Sequence, residues 1–174
     1  MLSRAIDRLN GAIGRAVKWL VLLATLVSAG NAVMRYGFDL SSNAWLELQW
    51  YLFALIFLLG AGYTHQHNGH VRIDVLYGRF NPRMRAWVDL VGGLLFLLPM
   101  AGLIGWLGWS AFLTSWNVSE TSPDAGGLLR WPIKLAIPLG FGLLCLQGLS
   151  EIIKRAAFLA GRLDLLEEHA EEVV

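Results

Sequence analysis

The chain has 174 residues, 56% of them hydrophobic, with 14 Lys and Arg against 13 Asp and Glu and a formal net charge of +1. A mean hydropathy of +0.53 and apolar runs that use up most of the length leave no room for a soluble catalytic domain. The near-neutral net charge says little by itself, no nucleic-acid partner is expected, and a single Cys145 excludes an internal disulfide and a thiolate metal cluster.

Four stretches, 19–34, 48–64, 90–116 and 135–150, contain no Asp, Glu, Lys or Arg. Each lies in an apolar segment close to or above the roughly 20 residues that a helix needs to cross a bilayer. The expected fold is an all-α integral membrane protein, one membrane domain over 1–174 with four transmembrane helices. An N-terminal amphipathic interfacial helix precedes them over 1–15, where Leu2, Ile6, Leu9 and Ile13 recur at helical spacing and Arg4, Asp7, Arg8 and Arg15 occupy other faces. Gly11 and Gly14 are placed to bend it into the first span, about 16–34, which is expected to stop at Arg35-Tyr36-Gly37. Val27-Ser28-Ala29 mimics a signal-peptidase site, but the apolar run continues to Met34, and three spans would put one basic cluster on the wrong side, so the first helix is expected to be retained.

Asp39, Ser41, Ser42 and Asn43 offer caps for the second span, about 44–64, which enters through Trp45-Leu46-Glu47-Leu48-Gln49-Trp50-Tyr51. Glu47 suits the positive end of that helix dipole. After a polar stretch from His65 to Asp74, Asn81-Pro82 reads as a helix start. The third helix, with its span at about 86–116, is longer than the roughly 30 Å hydrocarbon layer and must tilt, kink at Pro99 or project. Gly102, Gly105 and Gly108 form a stripe for close helix approach. A loop carrying Glu120, Asp124 and Gly126-Gly127 leads to the fourth span, about 131–153, and an acidic tail completes 154–174.

Eleven of the 14 basic residues cluster before span one, between spans two and three, and after span four; only Arg35, Arg130 and Lys134 remain on the other side. The positive-inside rule therefore makes both termini cytoplasmic. His65, His67 and His70 with Asp74 are read as a polar loop beside headgroups rather than metal ligands, since no second ligand cluster supports a metal. No His lies inside a span, which disfavours a haem-bearing redox anchor. Glu47, near one end of its span, is expected to pair across the outer interface, with Arg35 or a partner chain. Gln49 and Gln147 read as inter-helix or inter-subunit hydrogen bonders. No phosphate loop, nucleophile elbow or catalytic carboxylate pair is present, so no enzymatic activity and no cofactor are expected.

In the order Asn31-Ala32-Val33-Met34-Arg35-Tyr36, Trp45-Leu46-Glu47, Gly60-Ala61-Gly62-Tyr63-Thr64, His70-Val71-Arg72-Ile73-Asp74, Ser119-Glu120, Gly126-Gly127, Arg130-Trp131-Pro132, Pro138-Leu139-Gly140-Phe141, Gln147-Gly148 and Ser150-Glu151, the chain resembles the small permease subunit of tripartite ATP-independent periplasmic (TRAP) transporters, the DctQ-like family. The resemblance covers roughly 15–160. It implies a bacterial inner-membrane importer of organic acids with two partners, a periplasmic solute-binding protein and a large membrane subunit that carries the substrate and sodium sites. The small subunit would anchor the scaffold against which the large subunit moves. One departure is that many members carry two successive acids after the span-two Trp, whereas here Glu47 is followed by Leu48 and Gln49.

On that reading Arg35, Trp45, Glu47, Gln49, Gln147 and Glu151 are candidates for contacts with the large subunit or structural lipid. Arg72 and Asp74 would fix the cytoplasmic face, and Glu120 and Asp124 are candidate docking points for the binding protein. The rival expectation is a self-sufficient small homo-oligomeric channel or exporter.

Overall fold

The computed structural model describes residues 2–40, 42–70 and 77–162. Arg72, Asp74 and the acidic tail from Asp164 lie outside the described residues. Among the described residues four helices are long and apolar enough to cross a membrane: α1 (Leu2–Phe38), α2 (Asn43–Gln66), α3 (Pro82–Asn117) and α4 (Trp131–Leu159). The chain is thus an all-helical multi-pass membrane protein.

The amphipathic N-terminal segment is helical and runs into the first span as one helix of 37 residues. Gly11 and Gly14 do not interrupt it. A side chain at Gly14 would run into the ring of Tyr63, so that glycine serves the α1–α2 contact. At the other end the helix passes through Gly37, and Asp39 takes the left-handed turn (φ 54°) expected of the glycine, with Leu40 N–H returning to Met34 O at 3.0 Å. An Asp side chain tolerates that conformation better than most residues.

The polar residues before α2 and α3 do cap them. Ser42 Oγ accepts from Ala44 N–H at 3.3 Å, and Asn81 Oδ1 accepts from Met84 N–H at 2.7 Å with Pro82 in the first turn. Within α3 the stretch Gly93–Leu97 is π-helical, closed by Leu98 N–H on Gly93 O. The cause lies just downstream, because Pro99 has no N–H for the Leu95 carbonyl and its ring crowds that carbonyl; one wider turn relieves both.

The core is built around α4, which packs against α1, α2 and α3, while α1 also lies along α2. Gly140 permits the closest helix approach: a Cβ there would stand 2.5 Å from the Leu58 carbonyl oxygen of α2. Of the expected α3 stripe, Gly108 meets Ile137 and Gly105 lies near Phe141, whereas Gly102 faces open space. Most apolar surface stays bare. Only 6% of the most apolar window of α3 is buried within the chain, against 28% for α4, as expected where lipid or another subunit completes the packing.

Candidate functional site

Two polar clusters close the two ends of the bundle. At one end the connection from α3 to α4 folds back on itself through a single antiparallel bridge between Thr121 and Leu129. Ser122 N–H donates to Leu128 O at 2.9 Å and Arg130 N–H to Glu120 O at 2.8 Å. This strap lies over the start of α2. Glu47, 3% exposed, accepts from the Ser122 hydroxyl, from Leu128 N–H at 2.6 Å and from the Arg130 guanidinium at 3.1 Å. The same guanidinium stacks over the Trp50 ring with its carbon 4.9 Å from the centroid. Tyr51 donates its hydroxyl proton to Leu129 O at 2.7 Å, and Asn43 donates to Ala125 O at 3.0 Å.

The partner of Glu47 is therefore Arg130, not Arg35, which is exposed on α1. The charge pair spans 83 residues of sequence and engages Oε1, while Leu128 N–H satisfies Oε2. Nearby, Lys134 pairs with Glu120 and holds the Glu120 carboxyl below its ordinary value. Asp124 stays exposed at the tip of the strap.

At the end that holds both described termini, the polar face of the first turns of α1 docks on α4. Gln147, 0% exposed, accepts from Asn10 Nδ2 at 2.9 Å and donates to Asp7 Oδ1 at 2.9 Å and Glu151 Oε1 at 3.3 Å. Ser150 donates to Asp7 Oδ1 at 2.9 Å. Lys154 bridges Asp7 and Glu151, each at 3.1 Å. Arg155 reaches Asp89 of α3 at 3.4 Å, and Asp89 accepts from the Tyr77 hydroxyl at 2.8 Å. Asn10 Oδ1 has no hydrogen-bond donor among the described residues; it rests against Gly62, where any side chain would displace it. Three helices are thus tied together through buried polar groups whose alternatives in an apolar medium are costly.

Of the residues singled out from sequence, Glu47, Gln147 and Glu151 are engaged within the chain. Gln49 is half-buried on α2. Trp45 is exposed beside a groove of about 500 Å³ between α1 and α2 that Asn31 and Met34 also line. A second groove, about 540 Å³, runs between α3 and α4 past Phe96, Met100 and Phe141 to His65 and Asn68. His67 Nδ1 lies 3.0 Å from Tyr63 O, and among the described residues no group of three or more His, Cys, Asp or Glu is placed to hold a metal. Sequence reading missed Arg130, Ser122, Asp7 and Asn10. Asn10 carried a usable signal, an amide three residues from Asp7 and facing the same side of a helix with an apolar stripe.

Comparison with known proteins agrees with this architecture. Residues 24–158 match the family described as tripartite ATP-independent periplasmic transporters, DctQ component. A relative from Rhodobacter capsulatus, the C4-dicarboxylate TRAP transporter small permease protein DctQ, is 38% identical over 104 residues, covering 58% of this chain and 44% of the relative. The matched segment thus spans less than half the length of that relative. With four helices able to span a membrane and a family match over more than half its residues, the chain belongs to the DctQ component family of TRAP transporters.

Proposed function

We propose that this chain is the static membrane subunit of a tripartite importer of organic acids, enlarging and anchoring the scaffold on which a larger subunit carries substrate. The observation behind this reading is the distribution of charge. The span middles contain no Asp, Glu, Lys, Arg or His, and the carboxylates on the helices lie near the bundle ends in contacts with the chain's own residues. An ion or carboxylate crossing the bilayer needs partners at mid-depth, whereas a static wall needs shape and packing. The bare faces of α1 and α3 then meet lipid and the large subunit, with Trp45 and Gln49 among the contacts. Sodium coupling belongs to the partner.

By the distribution of basic residues, the end with both termini faces the cytoplasm of a bacterial cell and the strap faces the periplasm, where Glu120 and Asp124 are placed to meet a solute-binding protein. The C4-dicarboxylate class is named for the Rhodobacter capsulatus relative; for this chain the organic-acid class is the extent of the proposal. Reconstitution tests the scaffold role directly. Sodium-driven uptake of labelled organic acids is expected only when the large subunit and binding protein are present. Uptake by this chain alone would overturn the proposal and favour a small homo-oligomeric channel.

A further inference from the structure

Docking of α1 on α4 leaves a segregated surface. At 100° per residue, Arg4, Arg8, Arg15 and Lys18 fall within about 80° of the helix circumference, and all four are exposed. The helix turns Ser3, Asp7 and Asn10 toward α4, and Asp7, at the edge of the basic stripe, is engaged by Gln147, Ser150 and Lys154 of α4. Among the described residues none of the four basic side chains has an acidic partner within ion-pair distance.

Toward the middle of the helix the same stripe continues as Leu22 and Leu26, both exposed. Beside it, Trp19 is also exposed. The change from basic to apolar occurs near the end of α2, where Val17 packs by Gly60 and Gly14 by Tyr63, a few residues before α2 ends at the polar His65-Gln66. A positive strip running into an apolar strip on one helix face matches an amphiphile, with anion at one end and hydrocarbon at the other. An acidic polypeptide would match only the first half.

We propose that this face of α1 is a binding site for anionic phospholipid, with Arg4, Arg8, Arg15 and Lys18 contacting headgroup phosphates and Leu22 and Leu26 contacting an acyl chain. Arginine suits the role because its planar fork takes two phosphate oxygens at once, and long basic side chains near a span end reach back to the headgroup layer. The site is independent of the transported compound and of the scaffold reading.

The test uses the full chain in nanodiscs of phosphatidylcholine doped with fluorescent phosphatidylglycerol, with enrichment of the labelled lipid around the protein read by energy transfer from its Trp residues. Each basic residue near an anionic surface contributes about a fivefold gain, and Arg4 and Arg15, about 16 Å apart along the helix, meet different headgroups, so Arg4→Gln/Arg8→Gln/Arg15→Gln should lower phosphatidylglycerol enrichment about fivefold. The corresponding triple Lys variant should retain most of it, and high salt should weaken it in the wild type. Equal enrichment by wild type and the Gln variant would overturn the proposal. A chain ending at Arg162 distinguishes the remaining occupant: if the full-length wild type and Gln variant enrich the lipid equally and a difference emerges only once 163–174 is removed, the stripe serves the acidic tail and the lipid assignment fails. If the difference persists or grows, the lipid assignment stands.

Discussion

The bond between Asn10 and Gln147 offers a quantitative test of what holds α1 to α4. Gln147→Leu keeps the volume nearly constant but removes hydrogen bonds to Asn10, Asp7 and Glu151, leaving a buried amide and a carboxylate short of a donor. Stripping a buried group of its partner costs about 1–3 kcal/mol in soluble proteins, whereas interhelical hydrogen bonds in membranes average about 0.6 and reach about 1.7 kcal/mol. The membrane scale governs here, because a helix released from the bundle but still in lipid finds other partners for its polar groups. Two interhelical bonds then place Gln147→Leu at about 1–3 kcal/mol and Asn10→Leu at about 1 kcal/mol. The double variant should show a coupling of about 0.5–1.5 kcal/mol. Titration of the purified protein in mixed micelles with a denaturing detergent, read by the fluorescence of its eight Trp, measures all four corners of the cycle. Two unperturbed single variants with coupling under about 0.2 kcal/mol would show that this network does not hold the helices together.

Other expectations follow from the same contacts. Glu47→Gln should loosen the strap, seen as faster hydrogen exchange at Leu128 N–H and faster proteolysis within 119–129; unchanged exchange would remove Glu47 as its anchor. Gly140→Ala drives a methyl group into the Leu58 carbonyl and should cost about 1–3 kcal/mol in the same detergent titration. Gly142→Ala, with nothing within 4 Å, should be neutral or stabilising by about 0.5–1 kcal/mol, and similar losses at both positions would refute the close approach. Because Lys134 lowers the Glu120 carboxyl, their contact should be fully present above the ordinary carboxylate value and disappear as pH falls through the lowered one. Exchange at strap amides should rise over that acidic window, and Glu120→Gln should remove the contribution of this pair to the rise.

The four spans were legible because one signal, the lack of charge over membrane-length runs, overrides local propensity in an apolar solvent. The caps at Ser42 and Asn81 were legible for a local reason: they act within three residues of themselves. Glu47 was recognisable as a residue in need of a partner, but Arg130 was not recognisable as that partner. Its identity depends on how the strap folds back, and Arg35 stood equally well in one dimension. The N-terminal segment shows a subtler limit. Its period predicts a helix with one apolar and one polar face, yet nothing in the period tells that part of the polar face would be enclosed by α4. Gln147, Ser150 and Lys154 sit more than 130 residues away.

The π-helical turn at Gly93–Leu97 gives α3 an unusual sensitivity to length. One residue more than an α-helix would use in that stretch turns everything before it by about 100° relative to everything after. The segment that carries Asp89 toward Arg155 and Tyr77 is thus set in phase by a defect more than 10 Å from the ends of its helix. A single-residue deletion at Leu95 would act as a rotation more than a shortening. It would leave the packing of Gly108 on Ile137 in place while swinging Asp89 away from α4, uncoupling the two ends of one helix without changing a charged residue.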